Sequence, residues 1–194
     1  MDTDELLNRY REGERNFPGV DLRRCYLYRA HLPEINLAGA NLTDANLGRA
    51  NLNGANLSGA NLTDAKLTAT LLKKANLSDA LLIRANLMLA QLGQADLNRA
   101  DLQGASLWKA SLNKADLMNA NMQQTDCSGA DFVSTSFVGA NLQESDLSSA
   151  NLIASDFGGA NLTEANLIGA NLWNSNLNGA NLHNTILPDG HHHL

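Results

Sequence analysis

The sequence predicts a solenoid, a chain wound in one continuous coil around a core of leucine. From Leu22 to Leu187 a large residue recurs at every fifth position, and 29 of these 34 positions are leucine. The position two residues before each is small, with alanine at 24 of the 34. No insertion or deletion interrupts the repeat, so one architecture is expected along its whole length.

A period of five excludes a regular helix and a flat strand. At about 100° per residue, a step of five turns a helix by about 140° net and scatters the leucines around the cylinder. Five is odd, so successive leucines would point to opposite faces of a strand. A chain that turns in the same sense once per unit keeps each leucine and each small residue inside. The other three positions of the unit then face solvent.

The unit, as in Ala40-Asn41-Leu42-Thr43-Asp44, resembles the motif of the pentapeptide repeat family, a small residue, Asp or Asn, Leu or Phe, and two variable residues. The uninterrupted Ala-Asn-Leu tracts and the segment Glu5–Tyr10 look like cyanobacterial members. The resemblance implies an all-β fold, a right-handed quadrilateral parallel β-helix of about 8 coils with four units per coil. It also implies a short N-terminal capping helix.

Residues 1–17 lie before the repeat and predict that helical cap. Asp2 and Glu5 have the spacing of a capping box, and Gly13 is a typical helix stop. The apolar residues that share one face of this helix are Leu6, Leu7 and Tyr10. Laid over the first coil, the helix would cover an open apolar end and a bare strand edge.

Residues 18–189 are predicted to form the β-helix, and residues 190–194 a C-terminal tail that follows the turn signal Pro188-Asp189-Gly190. No C-terminal helix is expected, so the last coil is predicted to be exposed. The chain is accordingly expected to be a monomer or an end-to-end homodimer. His191–His193 lack the spacing and carboxylates of a closed metal site, and they are expected to be flexible.

Composition excludes several classes of protein. The chain of 194 residues carries a net charge of -6 and has a mean hydropathy of -0.24. No apolar run approaches the roughly 20 residues of a membrane span. The acidic segment Met1–Glu5 lacks the basic and apolar regions of a secretory signal. We therefore expect a cytoplasmic protein without membrane or direct nucleic-acid binding.

No motif for catalysis, for a cofactor or for a metal is present. Cys25 and Cys127 fall at inward positions too far apart for a disulfide, so both are predicted to be buried free thiols. His31 and His183 lie at outward positions of distant coils, and no phosphate loop or nucleophile elbow appears. The sequence predicts no enzyme and no cofactor.

Charge is distributed unevenly along the chain. Residues 1–114 carry all 14 basic residues and 12 acidic ones, whereas residues 115–194 carry 8 acidic and no basic residues. In the 20-residue coil that the resemblance implies, acidic residues would stack beside an outward apolar column. The resulting candidate partner surface consists of Asp126, Asp131, Val133, Asp146, Ile153 and Trp173.

The alternative for this surface is a solvated acidic face with scattered apolar residues. The same choice applies to a second apolar group nearer the N-terminus. Its members are Leu71, Leu81, Ile83, Met88 and Leu89.

These observations predict a non-enzymatic structural or protein-interaction solenoid with an unidentified protein partner. The alternative, implied by the resemblance, is a DNA-mimicking binder that inhibits or protects a type II topoisomerase. The chain departs from that subgroup because its frame is unbroken and its N-terminal part is slightly basic.

Overall fold

A computed structural model describes residues 1–193 of the chain. It has one short helix, α1 (Thr3–Arg11), followed by a coil whose successive turns are joined by single-residue parallel bridges. Each parallel bridge joins residues 20 apart, from Asn16 with Asn36 through Asn166 with Ile186. One coil therefore takes 20 residues, or four units. Within the described residues, no helix has the length and apolarity needed to cross a bilayer.

Each unit bends through a tight turn. In a representative unit, the Ala45 backbone N–H donates to the Leu42 carbonyl at 3.0 Å, and Asp44 between them has a φ of 59°. Positive φ recurs at every fifth residue from Gly19 through Asn184. Glycine favours this left-handed region, yet 24 of these corner residues are not glycine. The corners are therefore held by the hydrogen bonds between coils, against the preference of the residue itself.

We expect Ala154→Gly to stabilise the fold by about 1 kcal/mol, because Ala154 has a φ of 55° and glycine tolerates that backbone without strain. Urea unfolding measures the difference. The matched control is Ala150→Gly, at a buried interior position without positive φ, which is expected to destabilise. Equal or lower stability of Ala154→Gly would contradict the account of the corners.

Three sets of backbone hydrogen bonds join neighbouring coils, and in one of them the corner residue donates to the next coil, as from the Asp44 N–H to the Thr63 carbonyl at 3.0 Å. We take the direction from the N-terminal to the C-terminal end of the rod as upward. The central residue donates upward, as from the Leu42 N–H to the Asn61 carbonyl at 2.7 Å, and the second residue donates downward, as from the Asn41 N–H to the Val20 carbonyl at 2.9 Å. The central side chains between them are buried. Phe137 and Phe157 stack with ring centroids 4.6 Å apart. A continuous ladder around a buried, leucine-rich core makes the coil a stiff rod.

The interior also holds polar groups, and they are satisfied locally. Buried threonine and serine hydroxyls donate to carbonyls of the coil, as from Thr70 to Leu47 at 2.8 Å and from Thr135 to Leu112 at 2.7 Å. The predicted burial of two free thiols is confirmed. Burial raises the pKa of Cys25 to about 11 and that of Cys127 to about 12. Both thiols are therefore protonated and unreactive at neutral pH.

The predicted N-terminal helix is present, and it packs on the coil. The Asp2 side chain accepts from the Glu5 backbone N–H at 2.8 Å, and the Tyr10 hydroxyl donates to the Pro33 carbonyl at 2.8 Å. Leu6 is fully buried against the coil. The coil itself begins at Asn16, two residues before the predicted boundary at residue 18. The first unit contains Arg15-Asn16-Phe17, and it does not match the motif because Arg15 occupies the position of the small residue.

The C-terminal end differs from the expectation. Residues 191–193 are not a free tail, because His192 bridges Ile186 in antiparallel fashion and the His193 N–H donates to the Thr185 carbonyl at 2.9 Å. The Pro188–Gly190 turn reverses the chain into this short hairpin. The prediction of a flexible segment is therefore wrong for residues 191–193. The hairpin leaves the central residues of the last coil only partly buried, namely Leu172, Leu177 and Leu182.

Candidate interaction surface

The apolar part of the candidate surface forms a stacked column. The Ser134 N–H donates to the Ile153 carbonyl and the Ala154 N–H to the Trp173 carbonyl, each at 2.9 Å, so the turns that carry Val133, Ile153 and Trp173 lie above one another. Val133 and Ile153 are partly buried, whereas Trp173 is 71% exposed. An indole thus stands free at the upper end of this column.

The acidic residues of the candidate surface lie on two adjacent sides of the coil. Asp131 is on the side of the apolar column, where it accepts from the side-chain amides of Asn113 at 2.9 Å and Asn151 at 3.0 Å. Asp126 and Asp146 bridge each other on the preceding side. The six predicted residues therefore surround one corner of the rod and do not form a single flat face.

Within the described residues, no lysine or arginine forms a salt bridge with these carboxylates. Among the described residues after position 114, the only side-chain contact of salt-bridge length joins His191 Nδ1 to Asp189 Oδ2, at 3.1 Å. In the N-terminal part, arginine pairs with an aspartate one coil away, as in Arg84 with Asp64 at 2.6 Å. The carboxylates of the candidate surface accept hydrogen bonds from side-chain amides, hydroxyls and backbone N–H groups.

The second apolar group of the sequence analysis is not one patch. The 20-residue register places its five members on three sides of the rod. Leu81 is 40% and Leu89 46% exposed, but they lie on different sides. The structure therefore separates these residues.

A further side of the rod carries features that the sequence analysis missed. We name it the tyrosine side: it consists of residues 26–29 and the matching four residues at each 20-residue step up to 186–189. Of the described residues, most of the exposed large apolar side chains lie on it, namely Tyr26 at 64%, Tyr28 at 37%, Leu89 at 46% and Ile168 at 46%. The residues of this side lie 20 apart in sequence, so a count of charge and apolarity along the chain does not bring them together. Grouping the residues by the 20-residue period does.

Known proteins share this repeat and this coil. The family model for pentapeptide repeats matches in 8 copies, over residues 16–59, 60–99, 95–126, 125–163 and 155–189. The crystal structure of HetL, a pentapeptide repeat protein involved in heterocyst differentiation regulation from the cyanobacterium Nostoc sp. strain PCC 7120, is similar over 100% of both chains. The identity is 29% and the TM-score 0.60.

Full-length QnrB1, a plasmid-mediated fluoroquinolone resistance protein, shares the fold at 16% identity, with a TM-score of 0.63 over 90% of this chain and 94% of that one. No curated protein sequence matches the chain. The repeat, its 20-residue coil and these neighbours agree on a right-handed β-helix. The chain belongs to the pentapeptide repeat family.

Proposed function

We propose that the protein is a non-enzymatic interaction scaffold that binds a protein partner at the corner formed by the candidate surface. The observation that carries the proposal is Trp173, which is 71% exposed at the end of a stacked apolar column. Exposed tryptophan beside aliphatic and acidic groups is the composition of an interface hot spot with a polar rim. Asp131, on the same side, supplies part of that rim.

The stiffness of the rod favours this role. Its outward side chains are mounted on a continuous backbone ladder, so a partner would order little of the scaffold on binding. HetL, with 29% identity over its full length, is involved in the regulation of heterocyst differentiation, and this supports a regulatory binding role here. The two buried free thiols favour a reducing compartment, and we place the protein in the cytoplasm.

Capture of partners from a lysate of the source cell tests the proposal. We expect Trp173→Ala to lower recovery of the specific partner at least about 10-fold, because tryptophan is a frequent hot spot. The matched control is Trp108→Ala on the tyrosine side, where recovery should stay unchanged. Equal recovery with both variants would contradict a binding surface at Trp173.

The second candidate function is DNA mimicry toward a type II topoisomerase. Asp126 and Asp146 follow each other directly on the ladder, and residues 115–194 carry 8 acidic and no basic residues. Regularly spaced carboxylates on a narrow rod are suited to bind in the cationic groove where such an enzyme holds DNA. Salt-sensitive inhibition of supercoiling, weakened by Asp126→Asn with Asp146→Asn, would favour this candidate. The absence of any effect on the enzyme would exclude it.

A further inference from the structure

The tyrosine side is one continuous surface. Direct bridges join its second-position residues at every step, including Lys66 with Asn86, Ser106 with Asp126, and Asp146 with Asn166. Its corner residues are tied in the same order, as from the Arg49 N–H to the Thr68 carbonyl at 2.9 Å. Residues on this side therefore stand at heights set by their position in the 20-residue series.

Charge on the tyrosine side is separated by height. Its cations lie only in the lower part and its carboxylates only in the upper part. The cations are Arg29, Arg49, Lys66 and Lys109, and the carboxylates are Asp126, Asp146 and Asp189.

Within the described part of the chain, no salt bridge engages any of these four cations. Other sides behave differently, because Arg99 pairs with Asp79 one coil below at 2.7 Å. Arg29, Arg49 and Lys66 lie three or more coils below Asp126 and cannot reach a carboxylate of this side within one molecule, whereas Lys109 lies one coil below Asp126 and contacts the Trp108 ring.

Apolar groups on this side are arranged in a complementary way. Tyr28 lies against Gly48, where an added Cβ would come within 3.2 Å of the ring. The ring forms one wall of a depression of about 340 Å³, also lined by Arg49 and Lys66. In the upper part, Ile168 projects from the surface and is 46% exposed. The lower half thus presents a hollow beside the exposed Tyr26 and Leu89, and the upper half presents the exposed Ile168.

We propose that the tyrosine side binds a second copy of this chain, antiparallel to the first across a twofold axis near Trp108. Every coil rises by the same step, so residues equally far below and above this level meet in the pair. The facing residues are Arg29 with Asp189, Gly48 and Arg49 with Ile168, Lys66 with Asp146, and Leu89 with Asp126.

The order of charges selects a second copy over an unrelated acidic partner. An acidic partner would account for the four cations, but it would leave the carboxylates and Ile168 in the upper part without a role. A second copy uses both halves, since Arg29, Arg49 and Lys66 each face a carboxylate or apolar level at the matching distance beyond the axis, while Lys109 lies at the axis itself. End-to-end stacking would instead bring together two C-terminal parts that carry acidic and no basic residues.

The size of the interface predicts a weak dimer. Eight 20-residue steps at about 4.8 Å each give a side about 38 Å tall. At roughly 10 to 12 Å wide, it buries about 800 to 900 Å² over both copies, an area typical of weak, transient interfaces. The two Lys109 side chains approach each other near the axis, and each is held 4.4 Å from the ring centroid of its own Trp108. We expect dissociation in the micromolar range, weakening as salt is raised.

Most of the proposed partner surface remains accessible in this dimer. Asp131, Val133, Ile153 and Trp173 lie on the next side of the coil, and only Asp126 and Asp146 enter the dimer interface. The inference goes beyond the proposed function and does not depend on it.

A charge swap tests the proposal by sedimentation equilibrium on the full chain. Lys66→Glu alone and Asp146→Lys alone each place like charges opposite one another twice in the dimer, and we expect the dissociation constant to rise at least about 10-fold. Mixing the two variants restores opposite charges at both contacts. The mixture is expected to form a heterodimer with close to the wild-type dissociation constant.

The matched control swaps charges of the same kind on other sides, with Lys74→Glu and Glu164→Lys, and should leave the dissociation constant unchanged. Small-angle scattering gives the shape, because the antiparallel dimer is about as long as the monomer and an end-to-end dimer twice as long. A wild-type monomer at the highest soluble concentration, a doubled length, or no recovery on mixing folded variants would each overturn the proposal.

Discussion

Leu102→Ala is expected to destabilise the protein by about 3 to 5 kcal/mol. Leu102 is a central residue in the middle of the rod and is fully buried. Its N–H donates to the Asn121 carbonyl at 2.7 Å, and the Leu82 N–H donates to the Asp101 carbonyl at 2.6 Å. Because the ladder fixes the backbone above and below, the coil cannot close around the missing atoms. A cavity remains, and the cost falls in the upper part of the range for such substitutions.

Guanidinium unfolding monitored by circular dichroism measures this loss. The matched control is Leu81→Ala at an outward position that is 40% exposed, where less than about 1 kcal/mol is expected. Leu177→Ala, in the partly exposed last coil, should fall between the two. Equal losses at Leu102 and Leu81 would show that the predicted inward and outward positions do not differ in burial.

The course of the coil was predictable because a five-residue period without insertions leaves few ways to bury every leucine. Helix and strand both fail for geometric reasons, and a chain that turns at each unit remains. The capping helix was predictable for a different reason, since Asp2 and Glu5 signal a helix start by local hydrogen bonding. Both predictions rest on interactions that can be recognised over a few neighbouring residues.

The differences arise where the partner is distant in sequence. The hairpin that brings His192 to Ile186 depends on a free edge at the end of the ladder, and the histidine run has no pattern of its own. The tyrosine side is likewise assembled from residues 20 apart. Charge counted over residues 1–114 and 115–194 located the anionic end, but the separation of charge on the tyrosine side becomes visible only when the residues of each side are grouped by the 20-residue period.

Leu6→Asp is expected to detach the N-terminal cap at a cost of about 4 kcal/mol. Leu6 is fully buried and belongs to the core of the first coil. A carboxylate there loses the apolar burial of leucine and meets the penalty of leaving water without a cationic partner. The cost has a ceiling, because the helix can leave the coil and return the carboxylate to water. That ceiling is the loss of the Leu6 and Tyr10 burial and of the Tyr10 hydrogen bond to Pro33.

Amide hydrogen exchange shows which parts of the chain the Leu6→Asp substitution destabilises. We expect fast exchange in α1 and at the Phe17 and Leu22 amides, with protection retained in the middle of the rod, since each coil is stabilised mainly by its neighbours. The matched control is Asn8→Asp, which adds the same charge at an exposed position of the helix and should leave exchange unchanged. Faster exchange along the entire coil would instead mean that the rod unfolds as one cooperative unit. The cap would then be a condition for folding, and its role would extend beyond covering one end.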